Sequence, residues 1–219
     1  MLTVHHLNNS RSQRVLWLLE ELSVPYEIKR YQRDPKTMLA PPELMQVHPL
    51  GKSPVITDDG VTVAETGAIV EYILGRYGAG RMAPSDNIDR LRYTYWLHFA
   101  EGSAMPPLVM TLLFKEIPKR APFFVRPVAR AIAQATQTRF LDPTINRQLD
   151  LMESELGHSA WFAGSDISGA DVMMSFPAEA AANRYGLGDR TALKNWLERI
   201  HRRPAYKRAL EKGGQYAYA

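Results

Sequence analysis

Not one cysteine occurs among the 219 residues, so this chain can supply no disulfide, no Cys-ligated zinc, no thiol nucleophile and no dithiol redox pair. Any sulfur chemistry must arrive on a ligand. An apolar run of 18 or more residues is also missing, and the N-terminus enters Leu2-Thr3-Val4 without a basic segment, hydrophobic stretch and cleavage site. Neither a membrane span nor an export signal is expected, no membrane partner is expected, and the cytoplasm is the default location. Charge of one sign is likewise scarce. The net charge is +4, with basic residues spread among acidic ones. The densest basic cluster, Arg199 to Arg208, reads as a solvated helix face, so no nucleic-acid partner is expected and small anionic ligands suit the chain better. Apolar residues are plentiful at 45%, enough to build a core for one large domain or two small ones.

The periodicities divide the chain. Leu2 to Leu7 reads as a strand broken by Asn8-Asn9-Ser10, and Val15, Leu16, Leu18, Leu19 and Leu22 follow helical spacing between Ser12 and Leu22. Tyr26 to Tyr31 alternates as a second strand. A polar, Pro-rich connection from Gln32 to Gly51 holds at most a short helix around Pro42 to Gln46. Val55-Ile56-Thr57 and Val61 to Ala64 flank Asp58-Asp59-Gly60 as a hairpin, and Ala68, Ile69, Tyr72, Ile73 and Tyr77 continue as a helix after Thr66. Residues 1–77 therefore read β-α-β, loop, β-β-α. Residues 78–87, with Gly, Pro and Ser and no periodicity, form a linker. Residues 88–219 show no convincing strand and read as an all-helical domain. Within it, a helix from Ile88 to Met105 is expected to stop at Pro106-Pro107. Pro118, Pro122 and Pro127 punctuate the next segment, and a long amphipathic helix runs from about Val128 to Leu156 with a kink at Pro143. Ala170 to Tyr185, Thr191 to His201 and a short helix after Pro204 complete the chain.

Lys52-Ser53-Pro54-Val55 and Glu65-Thr66 carry the most chemical information. A Pro at the start of a strand has no N–H to give, which leaves a bare edge for something other than the sheet. With Ser53-Pro54 in the cis form, the Ser53 main-chain groups face outward to pair with a peptide-like ligand. Lys52 offers a cation, Thr66 a hydroxyl and the free N–H groups of a helix start to a carboxylate, and Glu65 an anion to an ammonium group. Together they form a clamp for a small zwitterionic peptide.

Other polar residues read more simply. His5 and His6 alternate faces on the first strand, so one of them is expected in the core, and two His on opposite faces cannot chelate one ion; no metal site is expected. Tyr93, Trp96 and Phe99 form a core stripe. Ser168-Gly169-Ala170-Asp171 has the spacing of a capping box, with Ile167 and Val172 as its hydrophobic staple, so Asp171 serves folding rather than chemistry.

Over its whole length this pattern resembles the cytosolic glutathione S-transferase family, and most closely its serine-type bacterial and fungal members. The likeness rests on Asn9-Ser10-Arg11-Ser12-Gln13-Arg14 leading into Leu16-Trp17-Leu18-Leu19-Glu20-Glu21-Leu22, and on His98-Phe99-Ala100-Glu101-Gly102-Ser103. It implies a thioredoxin-like N-terminal domain, an all-helical C-terminal domain, a cis-Pro54, a glutathione site and a homodimer. It also implies a detoxifying transferase that adds the glutathione thiolate to a hydrophobic electrophile. A glutathione-dependent peroxidase or isomerase, or a non-catalytic interaction protein of the same fold, are the alternatives. Glutathione is the co-substrate, held by Lys52, Ser53, Pro54, Glu65 and Thr66, with Glu101 reaching its ammonium group across a dimer interface. The resemblance names Ser10 as the hydroxyl that stabilises the thiolate, with Ser12 and Asn9 as alternates. Two positions depart from the family pattern. Ser53 stands where Val or Ile is usual, and Thr66 where Ser is common.

Overall fold

The computed structural model describes residues 1–218. Four strands, β1 (Thr3–Leu7), β2 (Glu27–Tyr31), β3 (Val55–Asp58) and β4 (Val61–Ala64), form one sheet in the order β2-β1-β3-β4. β1 runs parallel to β2 and antiparallel to β3, which hairpins into β4. Helix α1 (Ser12–Leu22) supplies the crossover that a parallel pair requires. A short 3-10 turn (Pro42–Gln46) and α2 (Thr66–Tyr77) complete this part.

Both faces of β1 are covered. Leu2 and Val4 join the main core with α1, while Leu7 packs with Tyr31 of β2 and Leu44 of the 3-10 turn. His5 and His6 are consequently both buried, at 5% exposure each, rather than only one of them. Period-two alternation separates the two rings onto opposite faces, but it does not decide whether the second face is wet.

Among the described residues seven further helices follow α2: α3 (Asn87–Phe99), α4 (Met105–Arg120), α5 (Arg126–Thr136), α6 (Asp142–His158), α7 (Gly169–Arg184), α8 (Thr191–Arg202) and α9 (Pro204–Gly213). Two joints differ from the sequence expectation, and both are wide π-type turns. Residues Ala100–Ala104 carry the chain from α3 directly into α4, so Pro106 and Pro107 begin a helix instead of ending one. Proline is harmless in a first turn because its missing N–H would be unpaired there anyway. Residues Gln137–Leu141 likewise split the long amphipathic run into α5 and α6, just ahead of Pro143. Pro118 lies inside α4 without ending it.

The core is aromatic where the helices meet. Trp96 packs on Phe162 at 4.7 Å and Phe162 on Trp196 at 4.9 Å. Tyr93, Trp96 and Phe99 are all buried. Beneath them the capping box of α7 is formed on both sides. Asp171 takes the Ser168 N–H at 2.9 Å and also the Phe162 N–H at 3.0 Å and the Trp196 indole N–H at 3.1 Å, so this cap ties three segments together.

Residues between α2 and α3 are stitched to the rest of the chain. Arg81 donates to the carbonyl of Leu22 at the end of α1, and the Met82 carbonyl accepts from Gly169 at 2.9 Å. The basic run near the C-terminus is not merely solvated. Arg203 pairs with Glu21, and Arg208 and Lys212 pair with Glu20, fastening α9 to α1. Ala219, the last residue of the predicted helical domain, lies outside the described residues.

Candidate active site

Two hollows adjoin at the C-terminal end of β1. The first, about 200 Å³, is lined by Lys52, Ser53, Pro54, Glu65 and Thr66, with Arg11 and Glu101. Five of the predicted clamp residues thus share one wall with the sixth. The Ser53-Pro54 peptide is cis. Ser53 turns its hydroxyl inward, donating to the His5 carbonyl at 2.8 Å and accepting from Leu7 N–H at 3.3 Å. That contact gives a polar side chain a partner at the position where Val or Ile is usual in the family that the sequence resembles. Among the described residues, no backbone group bonds to the Ser53 N–H or C=O, so both remain for an extended ligand.

Glu65 is the N-cap of α2 and has φ of 67°, a region that costs a non-glycine residue free energy and recurs at binding sites. Thr66, 4% exposed, opens the helix. The first N–H groups of α2 thereby face the same hollow as the Glu65 carboxylate, a positive helix end beside an anion.

Glu101 sits in the π-type turn after α3. Its carboxylate accepts from the Arg11 Nε at 3.1 Å and pairs closely with Arg14 of the same chain, so the structure gives it partners within its own chain. Burial raises its pKa, but Arg14 and Arg11 more than offset this and hold it below the ordinary glutamate range. Arg14 also donates to the Met173 carbonyl at 2.5 Å, which joins α1 to α7.

The second hollow, about 340 Å³, shares Arg11 and Ser53 with the first. Its polar corner is Asn9, Ser10, Arg33 and Arg184; its apolar wall is Met38, Met105, Val109, Leu112, Phe176 and Tyr218. Of the three sequence candidates beside the sulfur, Ser10 and Asn9 line this hollow. Ser12 does not; it is fully buried behind Ser10. Nor is Ser12 the N-cap of α1, which is Arg11.

A chain of hydrogen bonds runs inward from Ser10. Its Oγ lies 2.7 Å from Ser12 Oγ and accepts the Ser12 backbone N–H at 3.2 Å, and Ser12 Oγ lies 2.8 Å from His6 Nδ1. Burial, with Arg30 nearby, lowers the His6 pKa to about 4 despite a bond to the Gly213 backbone. At neutral pH the ring is uncharged. Among the described residues no three His, Asp or Glu side chains group as metal ligands, and no helix is long and apolar enough to cross a membrane.

The comparisons with known proteins agree across the whole chain. The N-terminal domain family of glutathione S-transferases matches residues 1–75, and the corresponding C-terminal domain family matches residues 117–204. The chain is 37% identical over 215 residues to glutathione S-transferase 3 of Schizosaccharomyces pombe, covering 97% of this chain and 88% of that protein. It is 32% identical over 223 residues to glutathione S-transferase 1 of Saccharomyces cerevisiae, covering 97% and 95%. A crystal structure of a glutathione S-transferase from Actinobacillus pleuropneumoniae matches with a TM-score of 0.80 at 32% identity, covering 97% of this chain and 93% of that one. This chain belongs to the glutathione S-transferase family.

What sequence reasoning missed in this glutathione S-transferase is mostly cationic and C-terminal. Arg11 and Arg14 lie 5.4 and 5.7 Å from the centre of the Phe176 ring, and Tyr218 packs edge-on to the same ring at 5.5 Å. The tail after α9 reaches the site through named bonds. Tyr216 donates to Glu179 at 2.5 Å, Asn183 to the Ala217 carbonyl at 3.2 Å, and the Ala217 N–H to Asn9 Oδ1 at 2.9 Å. The signal was the Gly213-Gly214 helix stop with two tyrosines beyond it; Gly214 takes φ of 87° to turn the chain back.

Proposed function

We propose that this transferase binds glutathione in the first hollow and joins its sulfur to an apolar electrophile held in the second. The observation that carries the reading is the seam: Ser53 and Arg11 line both hollows, and Ser10, next to Arg11 in the chain, lines the second. A tripeptide paired with the Ser53 main chain extends towards that seam. Its glycyl carboxylate goes to Lys52, its γ-glutamyl carboxylate to the Thr66 hydroxyl and N–H groups, and its ammonium group to Glu65, with Glu101 beside it.

A thiol of this kind has a pKa of about 8.5 and is mostly protonated at neutral pH. Lowering it by about two units stabilises the anion by roughly 2.7 kcal/mol. The Ser10 hydroxyl supplies part of this as a hydrogen-bond donor, and the N-terminal field of α1 adds to it. Ser10 Oγ accepts the Ser12 N–H, and its hydrogen, directed to Ser12 Oγ across 2.7 Å when Ser12 donates to His6, turns to the sulfur once a thiolate is in place. The thiolate then attacks the electrophile. A C–S bond forms as the leaving group departs with its electron pair or, in an addition to an activated double bond, as the π electron pair shifts to the neighbouring carbon, which then takes up a proton.

The same reading makes the enzyme a serine-type, detoxifying member that works in the cytoplasm as a homodimer, with domains at 1–77 and 88–219 about a 78–87 connection. The apolar stripe of Ile88, Leu91 and Tyr95 on α3, exposed at 72%, 72% and 48%, is the surface that a second copy would cover. Ser10→Ala tests the mechanism. Turnover should fall by about a hundredfold, the usual loss for one catalytic donor, with glutathione affinity retained; equal loss of both, or of neither, removes Ser10 from the role.

A further inference from the structure

Helix α5 is built inside out. Val128, Ala131, Ile132 and Ala135 recur at helical spacing and all face solvent, while Arg126, Ala129, Ala133 and Thr136 are the half-buried side. No residue of this helix is buried. At its N-terminal end Phe123 and Phe124 are 82% and 70% exposed, and Leu113 and Ile117 of α4 are exposed at 56% and 48%. Apolar surface of this extent marks a contact site.

Charge is concentrated on the same hairpin. From Met110 to Phe140 there are six Lys or Arg residues and a single acid, Glu116. That is a net +5, against +4 for the whole chain, so the remaining residues sum to −1. Lys119 pairs with Glu116 at 2.6 Å, and Arg120 and Arg130 are exposed. The denser basic run on the last helices is different, because Arg203 and Arg208 of it are paired with Glu21 and Glu20 and Arg202 with Glu198.

We propose that the α4–α5 hairpin docks on an anionic lipid bilayer. Phe123, Phe124, Val128 and Ile132 enter the boundary between headgroups and acyl chains, and Lys119, Arg120 and Arg130 meet headgroup phosphates. Charge complementarity selects an anionic surface. The aliphatic residues select lipid over nucleic acid, which offers phosphates and base faces but no apolar layer. This docking is peripheral and uses a face separate from the α3 stripe.

The test is flotation of the full chain with vesicles of phosphatidylcholine alone and with added phosphatidylglycerol. Flotation should occur with the mixed vesicles at low salt and fall roughly tenfold at high salt, because screening weakens surface charges. Phe123→Ser with Phe124→Ser should abolish it. Lys119→Glu with Arg120→Glu should erase the preference for anionic vesicles. Both pairs should keep full conjugating activity, since none of these four residues lines either hollow. Absence of flotation at low salt, or flotation indifferent to both pairs, overturns the proposal. So does binding to a polynucleotide that survives the Phe pair, or a larger oligomer that the Phe pair dissolves in the absence of lipid.

Discussion

The two hollows differ in how they are made. Four residues of the first, Lys52, Ser53, Glu65 and Thr66, come from one stretch that folds as a hairpin between a proline edge and a helix start. The second draws on six separated segments, from Asn9 to Tyr218. A ligand of fixed structure is met by backbone geometry and a helix end, which local sequence dictates. A wall of apolar side chains from distant helices can change one residue at a time without disturbing that clamp.

The largest effect expected from testing this contrast lies at the seam and is pH-dependent. His6 stands behind Ser10, and its pKa falls from the unfolded value of 6.5 to about 4 in the folded chain. Protons therefore bind the unfolded state first. The contribution of His6 is fully present above pH 6.5 and is lost as pH falls towards 4, about 3 kcal/mol over that window. His5 shifts in the same direction, chiefly through burial. Urea unfolding from pH 6.5 to 4 should show the loss, and His6→Asn should flatten it while keeping an acceptor for Ser12. An unaltered slope in the variant would mean that the ring is not buried neutral.

Next in size is Glu65→Ala. A lost charge-assisted bond to the ammonium group costs about 2 kcal/mol, roughly a thirtyfold weaker glutathione affinity. The KM for the electrophile should stay put; movement of both constants together would mean that the hollows are not independent.

The smallest effect is at the tail. Tyr218→Ala removes the ring that packs on Phe176, worth about 1 kcal/mol. The KM for the electrophile should change severalfold, in a direction set by electrophile size, with glutathione affinity unchanged. Titration of glutathione in both variants would detect leakage between the hollows.

Much of the first hollow was legible because its residues lie close in sequence and each sits at an element boundary, where Pro, Gly and β-branched runs give strong signals. The helix starts and the hairpin were readable from the same signals. Both π-type turns escaped because periodicity does not distinguish a widened turn from a break, and because a proline at the head of a helix looks like one at its end. The charge of the α4–α5 hairpin was countable from sequence but was hidden by a denser run, Arg199 to Arg208, in which the partners of Arg203 and Arg208 lie nearly the whole chain away.

Sequence by itself determined the strand and helix order, the proline edge, the acidic helix start, the capping box and the absence of any thiol, since all of these depend on residues a few positions apart. Tertiary structure decided that Ser12 is walled off behind Ser10, that Glu101 is held by Arg11 and Arg14, that the tail reaches Asn9, and that the apolar face of α5 looks outward. Each of those is a contact between segments distant in the chain, or the lack of one, and chain periodicity says which face is apolar without saying what that face will meet.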